Sequence, residues 1–220
     1  MKELLTILFF ILGACIISFL KVIAYDYPNI SFTRRSHCDY CGRILRWFEI
    51  IPIVGYFIVH GRCFSCKNQI NFYNSLQETI GGILFTFLWI NGDWYYIPLF
   101  IMLTILAFMD SYYGYVYPIF YLTILPTLFW EFSNLSFLTA VITFSVLWLL
   151  SRHYTFGLGD IEVLALLGLI IGPQKLILTI LLACFLCLGV FLWQKKRSFR
   201  FIPYISIATG IIYLIFSIKV

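Results

Sequence analysis

Asp110 and Asp160 are the residues whose type and setting point most directly to chemistry. The chain has only ten acidic side chains, and each of these two lies at the edge of a long apolar run. Asp110 follows LFIMLTILAFM; Asp160 closes GLGD and opens IEVLALLGLIIG. An ionisable group at a membrane edge is costly, so by default it marks function. Two carboxylates that meet are the minimum equipment of an aspartic protease: one holds a proton while the other activates water. Asp160 also has a structural alternative, since Asp commonly caps a helix N-terminus. Asp110 at a helix C-terminus opposes the helix dipole, at a cost of about 0.3–1 kcal/mol, so a functional role is the economical reason for it. Gly157 and Gly159 permit the close approach of another backbone, such as a substrate's. Glu162 is two residues on from Asp160, on another helix face, and is not a third member of the pair.

The second constellation is Cys38, Cys41, Cys63 and Cys66, as CDYC and CFSC separated by 21 residues. Two CxxC pairs at this spacing fit a tetrahedral four-thiolate zinc site. The site is expected to be structural, because a closed sphere leaves no position for water. A small polar loop has little core, so the metal supplies folding energy. The alternatives are unliganded thiols or two disulfides, and a reducing cytosol disfavours the latter. Cys184 and Cys187 form a third CxxC inside LLACFLCLGV; they and Cys15 are expected to pack between helices as small apolar residues. His37 directly precedes Cys38 as a spare ligand at most, since four thiolates already complete the sphere; His60 and His153 read as surface residues. Glu78 is expected to pair with a loop cation, and Asp93 and Glu131 to be solvated turn residues.

These residues need elements to position them. The chain is 62% hydrophobic and 11% charged, with mean hydropathy +0.95, which excludes an ordinary soluble domain. A helix needs roughly 20 apolar residues to cross a bilayer. Apolar runs fall near 4–24, 76–91, 94–109, 116–130, 135–151, 161–173, 176–193 and 202–218. They are continuous rather than alternating, so helices are favoured over a barrel. The expected fold is all-α: a polytopic membrane bundle of about eight transmembrane helices with a small zinc-binding cytoplasmic loop. Its divisions are 1–24 as the first transmembrane helix, 25–74 as the cytoplasmic four-cysteine loop and 75–220 as the transmembrane core. With eight alternating spans, only Lys2, Lys175 and Lys219 fall on one side, leaving 12 of the 15 positive charges on the other. By the positive-inside rule that richer face is cytoplasmic. Asp110 then ends an inward-running helix and Asp160 begins an outward-running one. Orientation accounts for the net charge of +5, so no nucleic-acid partner is implied. An LGAC at Cys15 resembles a lipoprotein cleavage site, but cleavage there would export the basic loop.

With these residues in view, the chain resembles the type IV prepilin leader peptidases, bacterial aspartic membrane proteases with a GxGD motif. The likeness runs through SFLKVIAYDYP, SHCDYCGRILRWFEIIPIVGYFIVHGRCFSCKNQI, FMDSYYGYVYP, GLGDIEVLALLGLIIG and RFIPYISIATG. Departures are Asp39, Glu49, Ile119 and Glu162, where the family more often has Pro, Asn, an acidic residue and Lys. The resemblance implies an inner-membrane enzyme, active at the cytoplasmic face, that cuts the basic leader from prepilins or pseudopilins after a Gly and before an apolar helix. It also implies, for many members, N-methylation of the new terminus with S-adenosylmethionine. Such enzymes serve pili, protein secretion and DNA uptake alike. The competing readings are a cation-coupled transporter using the two aspartates and a zinc-dependent assembly factor that only binds pilins.

Overall fold

The computed structural model describes residues 2–31, 35–152, 157–194 and 200–217. Arg34, His153, Lys195, Lys196, Arg197 and Lys219 lie outside the described residues. Among those described, the regular elements are helical, and the chain divides into two compact units at residues 94 and 95.

The first unit opens with α1 (Lys2–Asp26), whose buried residues lie from its middle onward. It buries Gly13, Ala14, Ile17, Leu20 and Ala24, a spacing of three to four that puts one stripe inward. Two short helices, α2 (Trp47–Ile50) and α3 (Val54–Ile58), follow in the segment that carries the cysteines. Then α4 (Phe72–Ile90) starts at Asn71, whose side chain caps the Tyr73 N–H, and packs against α1. The α1–α4 contact is close because its facing residues are glycines. A Cβ on Gly81 would stand 2.1 Å from Ile17 Cγ1, and one on Gly13 would stand 2.7 Å from the Gly81 carbonyl. Small residues at such crossings let backbones approach where the hydrophobic effect gives no net drive. Phe9 and Trp89 stack at 4.2 Å between ring centres.

The second unit is built around α5 (Ile97–Tyr113), which buries ten side chains from Leu99 to Asp110. Pro98 opens it, and Gly114 at φ 74° ends it by donating its N–H to the Asp110 carbonyl. A 3-10 stretch over Pro118–Ile124 leads into α6 (Leu125–Trp130). Next, α7 (Phe137–Ser151) buries no residue completely. It packs on α8 (Leu158–Gln194), and α9 (Ile202–Ser217) packs against both α5 and α8.

Each expected apolar run is therefore a helical segment, with differences in its bounds. The runs 161–173 and 176–193 belong to α8, which breaks at Gly172 (φ 74°, ψ 175°) before Pro173. Proline has no N–H for the Leu169 carbonyl four residues back, and the Ser136 N–H takes that carbonyl at 2.8 Å. By length and composition α1, Trp94–Tyr113 and Leu158–Trp193 can cross a membrane; Pro118–Trp130, Phe137–Ser151 and Ile202–Ser217 are shorter apolar helices. The protein is an all-α membrane helix protein.

Several side chains differ from the sequence expectation. Cys15 and Cys184 are exposed and Cys187 partly so, since they lie on outward faces of long apolar helices. Glu131 is buried, with the Asn134 side-chain amide donating to it at 2.8 Å and the Tyr96 hydroxyl 3.4 Å away. Glu78 accepts the Ile53 backbone N–H at 2.7 Å, and among the described residues Lys21 on α1 lies within charge range of it.

Candidate active site and metal centre

Cys38, Cys41, Cys63 and Cys66 offer four sulfurs that all lie within 4.8 Å of one another. Cys38 Sγ and Cys66 Sγ are 3.8 Å apart. Tetrahedral zinc with Zn–S bonds of about 2.3 Å requires S–S edges of about 3.8 Å, so the donor set fits. None of these cysteines is in a disulfide. The two CxxC turns are copies of one another. In each, the first cysteine's N–H donates to the carbonyl five residues on, Cys38 to Arg43 and Cys63 to Asn68, both at 2.9 Å. In each, the residue four on returns its N–H to that cysteine's carbonyl: Gly42 to Cys38 and Lys67 to Cys63. Both returning residues have positive φ, 66° and 59°. A single bridge closes each turn, His37 with Ile44 and Arg62 with Gln69. His37 is thus a bridge residue, and nothing brings it into the sulfur cluster.

The N–H groups of Cys66 and Ser65 point at Cys63 and draw its thiol down to about 6, toward the thiolate that a metal needs. Arg43 lies between the Cys63 sulfur and Glu49, bonding the Glu49 carboxylate at 2.7 and 2.9 Å. Burial alone would raise the Glu49 pKa. The Arg46 N–H and the Arg43 guanidinium outweigh it and hold the group below its ordinary range. This explains the Glu49 departure: it clamps the arginine that faces the cysteine cluster.

Beside the cluster lies a cavity of about 420 Å³, lined by Lys21, Tyr56, Asn74 and Glu78 among others. One wall is strained. Ile53 has φ 64° and ψ −61°, with Val54 N–H donating to Pro52 O at 2.6 Å, a rare γ-turn of the kind tolerated only where surroundings fix it. Glu78 on α4 fixes it through the Ile53 N–H. Lys21, which also lines the cavity, donates to the side chains of Asn74 and Gln77.

The aspartates belong to the second unit. Asp110 is on the last turn of α5 and only 7% exposed. Asp160 is in the first turn of α8, partly buried. The two are near enough to interact electrostatically. Asp110 is not left against its own helix dipole. The Ile202 N–H, at the start of α9, faces its carboxylate, and Arg200 lies within charge range. A second helix N-terminus thus compensates the first helix's C-terminus. One oxygen, Asp110 Oδ2, is buried and takes no hydrogen bond from the described residues.

Asp160 is not the cap of α8. Gly157 accepts the Asp160 and Ile161 N–H groups at 3.1 and 3.4 Å, so the carboxylate lies within the turn, where the dipole favours it. A Cβ on Gly159 would stand 2.8 Å from Val116 Cγ2, and one on Gly157 would stand 3.3 Å from Asp160 Oδ2. Gly159 therefore lets the start of α8 close on the loop after α5. Neither glycine needs a left-handed backbone. Sequence reasoning missed Arg200, Ile202 and Tyr121. The buried Tyr121 hydroxyl makes no well-formed hydrogen bond, yet it lies against Glu162 and within charge range of Asp160.

Comparison with known proteins joins this geometry to a family. Residues 11–91 match the Bacterial Peptidase A24 N-terminal domain, and residues 93–192 match the Type IV leader peptidase family. The chain is 30% identical to a prepilin leader peptidase/N-methyltransferase of Neisseria gonorrhoeae over 81% of this chain and 70% of that protein. The chain belongs to the type IV leader peptidase family. A Vibrio cholerae relative of the same name is 25% identical over 96% of this chain and 95% of its own. A Myxococcus xanthus relative is 33% identical over 49% of this chain, but that match covers 34% of the relative. No solved structure matches significantly.

Proposed function

We propose that this chain is a membrane aspartic endopeptidase that removes the basic leader from type IV prepilin-like precursors and then N-methylates the new terminus. The observation that supports the reading is that Asp110 and Asp160 lie within charge range of one another in one unit. Two adjacent carboxylates do not both ionise cheaply, so the pair shares one proton. The ionised member takes a proton from water as it attacks the scissile carbonyl. The protonated member donates to the carbonyl oxygen, and the tetrahedral intermediate collapses with proton return to the leaving amine. Arg200 and the start of α9 hold Asp110 in place through this exchange. Gly157 leaves room beside Asp160 for an extended backbone, whereas the space at Gly159 is taken up by its contact with Val116.

In this reading 1–24 is the first transmembrane helix, 25–74 the zinc-bearing loop and 75–220 the membrane core. The enzyme is in the bacterial inner membrane with its site at the cytoplasmic face, supported by the one-sided distribution of Lys and Arg. Cys38, Cys41, Cys63 and Cys66 would hold one structural zinc. For methylation, S-adenosylmethionine would supply the methyl group. The cavity in the first unit suits it in size, with Lys21 and Glu78 as opposite charges for its amino-acid end and Tyr56 as an aromatic wall. Its partners are prepilin or pseudopilin precursors and the lipid bilayer. The cation-coupled transporter is left without support by the family assignment.

Asp110→Asn and Asp160→Asn, each in full-length protein at normal membrane level, are expected to abolish cleavage of a prepilin. Cleavage by either variant at near wild-type rate would overturn the assignment.

A further inference from the structure

Along α8, Glu162, Ala165, Leu166 and Leu169 recur at the spacing of one helix face. With Ala140, Val141, Phe144 and Ser145 of α7, and Pro118 and Tyr121 of the 3-10 stretch, they line a groove of about 520 Å³. From Glu162 to Leu169 it runs roughly 10 Å at 1.5 Å per residue. Its walls are aliphatic and aromatic, and Val141 is 63% exposed. Alanines at 140 and 165 leave room for a close backbone.

Hydrocarbon would cover the apolar walls without help, but it does not account for the polar end. Glu162 is the one charged residue of the lining, and no cation among the described residues pairs with it. The Tyr121 hydroxyl buried against it lacks a well-formed bond. A carboxylate held at the edge of an apolar, lipid-facing groove is costly unless a partner arrives. The same Tyr121 feels the charge of Asp160, so the polar end adjoins the proposed catalytic pair. The fitting occupant is an apolar helix that carries a cation close to the bond to be cut.

We propose that this groove seats the start of the precursor's apolar helix, and that Glu162 pairs with the last cationic side chain of the leader. Glu162 is then a substrate-positioning residue that sets specificity, and Tyr121 orients it. This rests on the peptidase reading above and names how that site selects its substrate.

The test uses full-length protein in proteoliposomes and one prepilin in three forms, with Arg, Ala or Glu at the leader cation nearest the cut. Wild type is expected to prefer Arg over Glu by about tenfold or more in kcat/KM, mainly through KM, as a desolvated charge pair gives. Glu162→Gln should flatten that ranking, and Glu162→Lys should invert it. A loss of folding alone lowers all three rates together and cannot invert a ranking. As a second measurement, a photo-crosslinking residue at Val141 in the Asp160→Asn background should capture the uncleaved precursor, whereas one at Phe185 should not. If wild type cuts none of the three forms, the peptidase reading itself fails and this inference goes with it. If wild type cuts them all but the ranking is unchanged in Glu162→Lys, or Val141 and Phe185 crosslink alike, the groove is merely lipid-lined and the inference alone is overturned.

Discussion

Asp110 shows why residue type was legible and residue environment was not. Its position after an apolar run marks it in the sequence. Its support does not: Arg200 and Ile202 are about ninety residues further along, and no periodic pattern links them to α5. Glu49 is the same kind of case. As a departure from the family it carried no meaning until Arg43 and the Arg46 N–H were seen around it. Its pKa is depressed in the fold, so the stability it contributes is present above its unfolded value, near 4.5, and is lost as pH falls through the lower folded value. Hydrogen exchange across residues 37–70, followed from neutral to acid pH, should show protection falling below that value. Thiolates also protonate on acidification and release metal, so the informative quantity is the difference from Glu49→Gln. That variant should begin less protected and lose the part of the pH dependence due to this clamp. Identical pH curves for the two proteins would refute a role for the clamp.

At the scale of elements, the eight apolar runs were readable because continuous hydrophobicity survives any detail of packing. The interruption of α8 at Gly172 was readable too, as the gap between the runs 161–173 and 176–193; the path beyond it was not, because a Gly-Pro pair signals a turn without telling whether the helix resumes on the same course. The duplicated CxxC turn escaped notice for another reason. Beyond the cysteines, the copies share a backbone path rather than residue types, with Gly42 in one and Lys67 in the other at the left-handed position. Glycine tolerates that conformation, whereas a side chain costs about 1 kcal/mol there. Gly42→Ala is therefore expected to destabilise the metal loop by about 1 kcal/mol, seen as zinc release at lower chelator concentration. Lys67→Gly should stay within about 0.5 kcal/mol of wild type, because relief of strain offsets the greater freedom of the unfolded chain and the lost contact with Phe64. Equal weakening by both changes would rule out the equivalence of the two turns. The α1–α4 crossing yields a steric prediction. Gly81→Leu cannot be accommodated beside Ile17 and should cost at least about 1–3 kcal/mol, read as a fall in thermal unfolding temperature in detergent. A combined Ile17→Ala change should recover part of it.

For the molecule as a whole, the aspartates are attached to helices of unequal reach. The first part of α8, before Gly172, and the flanking helices α7 and α9, of 15 and 16 residues, span only roughly 20–25 Å at 1.5 Å per residue. An ordinary hydrocarbon core is about 30 Å thick. Lipid meets such a mismatch by compressing, at fractions of a kcal/mol per Å. Such helices are expected to dimple the bilayer around Asp160, drawing headgroups and water down toward the proposed catalytic pair, so that the membrane's shape would supply the hydrolysis with its second reactant. In vesicles of short-chain phosphatidylcholine the rate of prepilin cleavage should hold or rise, and it should fall progressively as acyl chains lengthen at constant fluidity. A rate indifferent to bilayer thickness would mean that water reaches the carboxylates by another route.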